Sequence, residues 1–197
     1  MFAFLLMVQS FLPLNSESTS LDSTWVPSFK WQSQIAAKTV KTVEDYYLLL
    51  PSSIMDCENI AKGLPTIEER KKEIRISDVK NGYLAFFNAS QVAVFKNRAE
   101  KLDVIAIQSG QSGAGNTCGA VNSVFTFDIA KKTWIKRDDL LPKGYTHVEL
   151  YQKLSDRDIL PYFDLPQKGT EIKIKDENND STISILKWNG QCFLLKK

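Results

Sequence analysis

From Tyr83 onward the apolar residues recur mostly with a period of two, the spacing of an extended strand that buries one side. Tyr83–Phe87 reads as one strand, and the Asn81-Gly82 pair before it suits a tight turn because both residues tolerate positive φ. Gln91–Lys96 alternates through Val92, Val94 and Phe95. Leu102–Gln108 differs: Val104, Ile105, Ala106 and Ile107 follow one another, so both faces should be dry, as in a central strand. Ser123–Asp128 sets Phe125 and Phe127 against Thr126 and Asp128, and Ala130-Lys131-Lys132 turns the chain into Thr133–Lys136. Glu171–Lys175 has one wet and one dry face, and Thr182–Trp188, Asn189-Gly190 and Cys192–Leu195 read as a C-terminal hairpin.

Before Tyr83 the spacing is helical. Trp31–Val43 carries a weak pattern through Ile35, Ala36, Ala37 and Val40, and Thr42-Val43-Glu44-Asp45 can cap a short helix through Tyr46–Leu49 that Pro51 ends. Thr66 and Glu69 have capping-box spacing, which predicts a helix from Ile67 to about Ile74. The pattern therefore predicts a mainly β (α+β) fold. One or two N-terminal helices precede about eight mostly antiparallel strands, which form a curled sheet, a sandwich or a barrel. The strand–helix–strand rhythm of a parallel sheet is absent.

The ends change the picture. Residues 1–14 are apolar (Phe2, Phe4, Leu5, Leu6, Met7, Val8, Phe11, Leu12) and too short to span a bilayer, but they have the length of a signal-peptide core. No Lys or Arg precedes this run and no small-x-small cleavage site follows it. The expected organisation is a signal peptide over 1–14, a polar tether over 15–30 and one β-rich domain over 31–197 whose helical part covers 31–75. Export to the periplasm, cell surface or medium is the expected destination, with no transmembrane segment left in the mature chain. In such a compartment Cys57, Cys118 and Cys192 allow one disulfide and one spare thiol, with any of the three pairings open.

Apolar residues make up 43% of the 197, enough for an ordinary core, and the net charge is only +2. Lys71, Lys72 and Arg75 interleave with Glu68, Glu69 and Glu73, so no basic stripe forms and a nucleic-acid partner is not expected.

Candidate chemistry is sparse. The glycine-rich stretch Gln108–Gly119 lacks the Lys of a phosphate-binding loop and misses the spacing of a nucleophile elbow by one residue. Cys118 and the sole histidine, His147, could serve as nucleophile and base if folding joins them, because a thiolate at neutral pH needs such a partner. Asp176, Asn178 and Asp180 begin like a calcium loop, but Ser181 and Lys187 stand where Gly and Glu are required, which leaves a hairpin tip as the ordinary reading. Trp134 and Trp188 could form a ligand platform or fill a core. One histidine and no close cysteine pair argue against zinc, and no cofactor is expected.

Several segments in order carry a resemblance: Leu50-Pro51, Ile67-Glu68-Glu69-Arg70-Lys71-Lys72, Val79–Phe86, Val94-Phe95-Lys96, Thr117-Cys118-Gly119, Phe125-Thr126-Phe127, Trp134 and Leu141-Pro142. Over roughly residues 45–145 the chain resembles a loose set of uncharacterised exported bacterial β-rich proteins. In that set a second cysteine often follows the Cys-Gly pair, where this chain has Ala120 and Val121. The resemblance implies export and a β-rich fold and no activity. The functional expectation is a non-enzymatic module that binds a protein or a cell-envelope component. The alternative is an enzyme using Cys118 and His147.

Overall fold

The computed structural model describes residues 40–50, 66–109 and 121–196. The expected leader, the tether, the helical pattern before Val40, Cys57 and most of the glycine-rich stretch lie outside the described residues.

The described chain is mainly β, with ten strands in two antiparallel sheets. The first sheet is a meander of β1 (Ile74–Asp78), β2 (Tyr83–Phe86), β3 (Gln91–Asn97), β4 (Leu102–Ser109), β5 (Val121–Asp128) and β6 (Thr133–Lys136), in sequence order. The second contains β7 (Pro161–Asp164), β8 (Glu171–Asp176), β9 (Thr182–Trp188) and β10 (Phe193–Leu195) in the order β10-β9-β8-β7. The described α-helices are α1 (Val43–Leu49), α2 (Ile67–Lys72) and α3 (His147–Leu154). The expected barrel or curled sheet is not found: β1 and β6 remain separate edges, and neither sheet closes on itself.

Both faces of the six-stranded sheet are buried. On one face Leu84, Phe86, Val92, Ile105, Ile107, Phe125, Phe127 and Trp134 pack against α1 and Leu50. On the other, Tyr83, Ala85, Ala93, Phe95, Val104, Ala106 and Val124 meet Leu150 and Leu154 of α3 and the inward residues of the second sheet, Phe163, Ile172, Ile174, Leu186, Trp188 and Phe193. The central position of β4 follows from its unbroken apolar run, since a strand covered on both sides has no wet face to alternate.

Local chemistry explains the helices. Thr42 and Asp45, Thr66 and Glu69, and Thr146 and Glu149 each form a complete capping box, which satisfies orphan N–H groups at the start of α1, α2 and α3. The third box sits ahead of a helix that the period-two reading passed over, so the molecule has a helix between its two sheets as well as those at its start. Helix α2 stops at Lys72, not at Ile74, because Glu73 caps it and Ile74 pairs with Phe86 as the first residue of β1. The other strand not anticipated is β7. It opens on a proline, which cannot donate to a ladder and is tolerated as the first residue of an edge strand. In the Asn81-Gly82 turn only Gly82 adopts positive φ (70°); a Cβ there would lie 3.2 Å from the Cβ of Val94.

Polar side-chain contacts join the layers. Arg70, 1% exposed, donates from Nη1 to the carbonyls of Tyr47 (3.0 Å) and Leu48 (3.3 Å), and the indole of Trp134 donates to Leu49 O at 2.8 Å. The last-turn carbonyls of α1 are thus satisfied by α2 and by the sheet. On the opposite face the indole of Trp188 donates to Lys96 O at 3.1 Å, tying β9 to β3.

Candidate functional site

The connection from β7 to β8, residues Leu165–Thr170, is held at three points. Leu165 N–H donates to Gln91 Oε1 (2.6 Å), Gln167 Nε2 donates to Asp78 Oδ2 (3.2 Å), and Trp188 N–H donates to Thr170 O (2.8 Å). Gly169, with φ of 100°, supplies the left-handed bend that lets so short a loop arch. Between this arch and the charged face of the second sheet lies an open groove of about 620 Å³, with Lys168 on the loop, Lys173 on β8, Lys187 on β9 and Tyr83 among its walls.

Charge pairing across the groove is uneven. Its two carboxylates, Asp164 and Glu171, are engaged by lysines outside the lining: Lys175 Nζ lies 3.3 Å from Asp164, and Lys196 Nζ lies 3.0 Å from Glu171. Asp164 stands opposite Lys173 in the strand register, and Glu171 opposite Lys187, yet neither carboxylate bonds its cross-strand lysine. Among the described residues no carboxylate lies within ion-pair distance of Lys168, Lys173 or Lys187. Burial raises the pKa of the Tyr83 phenol, with the Asp164 charge adding to the effect and Arg75 opposing it, so the phenol stays a neutral donor.

A second constellation surrounds His147, the first residue of α3. Its Nδ1 lies 3.5 Å from Nδ2 of Asn122 and its ring packs against Tyr151, with centroids 5.4 Å apart. Burial lowers its pKa, and Lys136 lowers it further, so the imidazole is neutral at pH 7. The Asn122 amide is itself fixed: Oδ1 accepts from Phe163 N–H at 2.9 Å and Nδ2 donates to Pro161 O at 3.1 Å. Asn122 therefore takes outward-facing backbone groups of β7, and Gln91 takes the N–H of Leu165 just beyond it, so side chains of the first sheet seal the edge of the second. Cys118, the expected partner of His147, lies outside the described residues.

The remaining candidates are engaged in the fold. Trp134 and Trp188 are each 6% exposed, one packed on Tyr46, Phe125 and Phe127, the other on Phe95 and Phe193; both are core residues and present no platform. Asp176 is buried and accepts from the N–H groups of Leu160 and Asn178 and from Asn179 Nδ2. Asp180 accepts from the hydroxyl of Tyr162 (2.6 Å) and from Lys175 (3.0 Å), and Asn178 donates to Asp158 O. These side chains build the β8–β9 turn, and among the described residues no cluster of His, Cys, Asp or Glu is arranged to hold a metal ion. Cys192 is a free, partly buried thiol beside Asn189; Cys57 and Cys118 lie outside the described residues. No helix among the described residues is long and apolar enough to cross a membrane.

The groove lysines went unread in the sequence because a lysine on a wet strand face looks the same whether or not an acid neutralises it. Only the positions of Lys175 and Lys196 reveal which three are left over.

Fold and site together define a class: two stacked antiparallel sheets with helical cover on the outer face, and a cationic groove where the second sheet meets its first connection. Compared with protein families, with characterised proteins and with solved structures, the chain shows no match.

Proposed function

We propose that this chain is an exported, non-enzymatic binding module, and that its partner is an anionic component of the cell envelope. The observation that carries the reading is the groove in which Lys168, Lys173 and Lys187 have no carboxylate partner while both neighbouring acids do. Three lysines of one groove with no acid within ion-pair distance give it a local positive potential that attracts an anionic partner. The apolar leader at residues 1–14 supports export. The experiment is co-sedimentation of the full chain with isolated cell envelopes at low salt. We expect saturable binding that weakens at least tenfold in a Lys173→Glu/Lys187→Glu variant; no sedimentation, or equal sedimentation of the variant, rejects the reading.

The enzyme reading keeps one specific observation, the neutral imidazole of His147 held by Asn122, itself only four residues along the chain from Cys118. In that reading a thiol-directed alkylating agent modifies Cys118 faster in the parent than in His147→Ala, and a hydrolase or transferase activity disappears in Cys118→Ser. Equal alkylation rates reject it.

A further inference from the structure

Resting on the binding reading, we infer that the groove takes a phosphate-bearing chain, several linked phosphate groups lying along the β7–β8 arch. Lys173 and Lys187 project from adjacent strands on one face: Lys187 is directly opposite Glu171, and Lys173 is two residues further along β8, which makes the two lysines diagonal neighbours roughly 7–8 Å apart at the backbone. Lys168, on the arch, brings a third ammonium to the same groove. Linked anionic groups match cations spread over a loop and two strands.

The kind of cation suits phosphate. The groove holds lysines and no arginine, hence compact point charges that meet the tetrahedrally spread oxygens of a phosphate from any direction, without the planar fork that pairs edge to edge with carboxylate or phosphate. The acids already there are engaged from outside the lining: Lys196 holds Glu171, and Lys175 lies between Asp164 and Asp180. At longer range Lys168 acts on Asp78 and Lys173 on Asp180; Asn81 and Gln167 occupy the first carboxylate, and Tyr162 and Lys175 the second. The tethering of the arch at Leu165, Gln167 and Thr170 means that little backbone has to be ordered when a ligand enters. The concavity separates a chain from a membrane surface. A flat layer of lipid headgroups would meet the rim of a 620 Å³ groove, while a flexible chain enters it.

The test uses the full chain and sodium tripolyphosphate, followed by calorimetry and by backbone amide shifts in 0.05 M salt. We expect one saturable site, shifts concentrated over residues 164–173 and at Lys187, and at least tenfold weaker binding in a Lys168→Gln/Lys173→Gln/Lys187→Gln variant whose thermal melt is unchanged. Citrate, a carboxylate of similar charge, and vesicles of phosphatidylglycerol are the comparison arms. Citrate binding as tight as tripolyphosphate overturns the choice of phosphate, and vesicle binding in preference to the free chain overturns the choice of a chain. Shifts spread over all surface lysines, or a triple variant that binds unchanged, overturn the site itself. If tripolyphosphate fails while envelope sedimentation still depends on Lys173 and Lys187, the ligand class is wrong and the binding reading stands; if both fail, the binding reading falls as well.

Discussion

The two faces of the six-stranded sheet are built on opposite plans. The face under α1 is large against large: Phe86, Ile105, Ile107, Phe125, Phe127 and Trp134 meet Tyr46, Tyr47, Leu48 and Leu49. The aromatic side chains of this seven-residue helix reach well into the sheet: the Tyr47 ring lies 4.6 Å from that of Phe86, and the Tyr46 ring 6.3 Å from that of Trp134. The face under the second sheet has a small centre, with Ala93 and Ala106 paired across β3 and β4 and Ala85 alongside, flanked by Tyr83 and Phe95 and packed with Phe163, Ile172, Leu186 and Trp188. Small residues let the second sheet approach closely enough for Asn122 to reach the backbone of β7 and Gln91 that of Leu165 just beyond it. Apolar area holds the first face together; the second combines that area with directional hydrogen bonds and so fixes where β7, and the arch that follows it, must lie.

The sharpest way to break this contrast is Asn122→Ala. It leaves the N–H of Phe163 and the carbonyl of Pro161 buried without their partner and opens a gap beside His147. We expect a loss of about 3 kcal/mol in urea unfolding, and amide exchange at Phe163 faster than at β4 residues.

A volume comparison comes next. Ala106→Leu adds bulk where the two sheets meet and should cost about 2 kcal/mol through overpacking, while Ile105→Leu, one residue away on the helix-covered face, should cost under ~1.5 kcal/mol because volume is conserved. Equal losses at both positions, measured by thermal and chemical unfolding, would contradict the small-centred arrangement.

The smallest effect is a pH dependence from the polar edge of the second face. The folded pKa of His147 is depressed below the ordinary 6.5. As pH falls, the unfolded chain takes up that proton first, so the stability contribution is present above about pH 7 and is lost as pH drops through 6.5 toward the folded pKa. His147→Gln should flatten unfolding free energy between about pH 7.5 and pH 6 by less than ~1 kcal/mol. Because the chain has a single histidine, one imidazole resonance reports the titration directly; a midpoint at or above 6.5 contradicts the assigned environment.

Much of this fold was legible in short stretches of chain. The unbroken apolar run of Val104–Ile107 marked the central strand, and Thr66 with Glu69 marked the start of α2. The capping box of Thr146 and Glu149 carried the same kind of signal for α3, which a strand-dominated pattern obscured. The brief β7, opening on proline, has almost no signal of its own, because its outward backbone groups are completed by Asn122, about forty residues earlier in the chain.

Periodicity and capping act over a few residues, and they account for the β-rich character, most of the strands and the helices that begin at Val43 and Ile67. The stacking of the layers sets the division of the strands into two open sheets, the burial of Trp134 and Trp188, and the meeting of Lys168, Lys173 and Lys187 in a groove with no carboxylate within ion-pair distance of them among the described residues. The physical reason is range: hydrogen bonds and charges join residues by distance in space, and that distance is set only when the sheets stack.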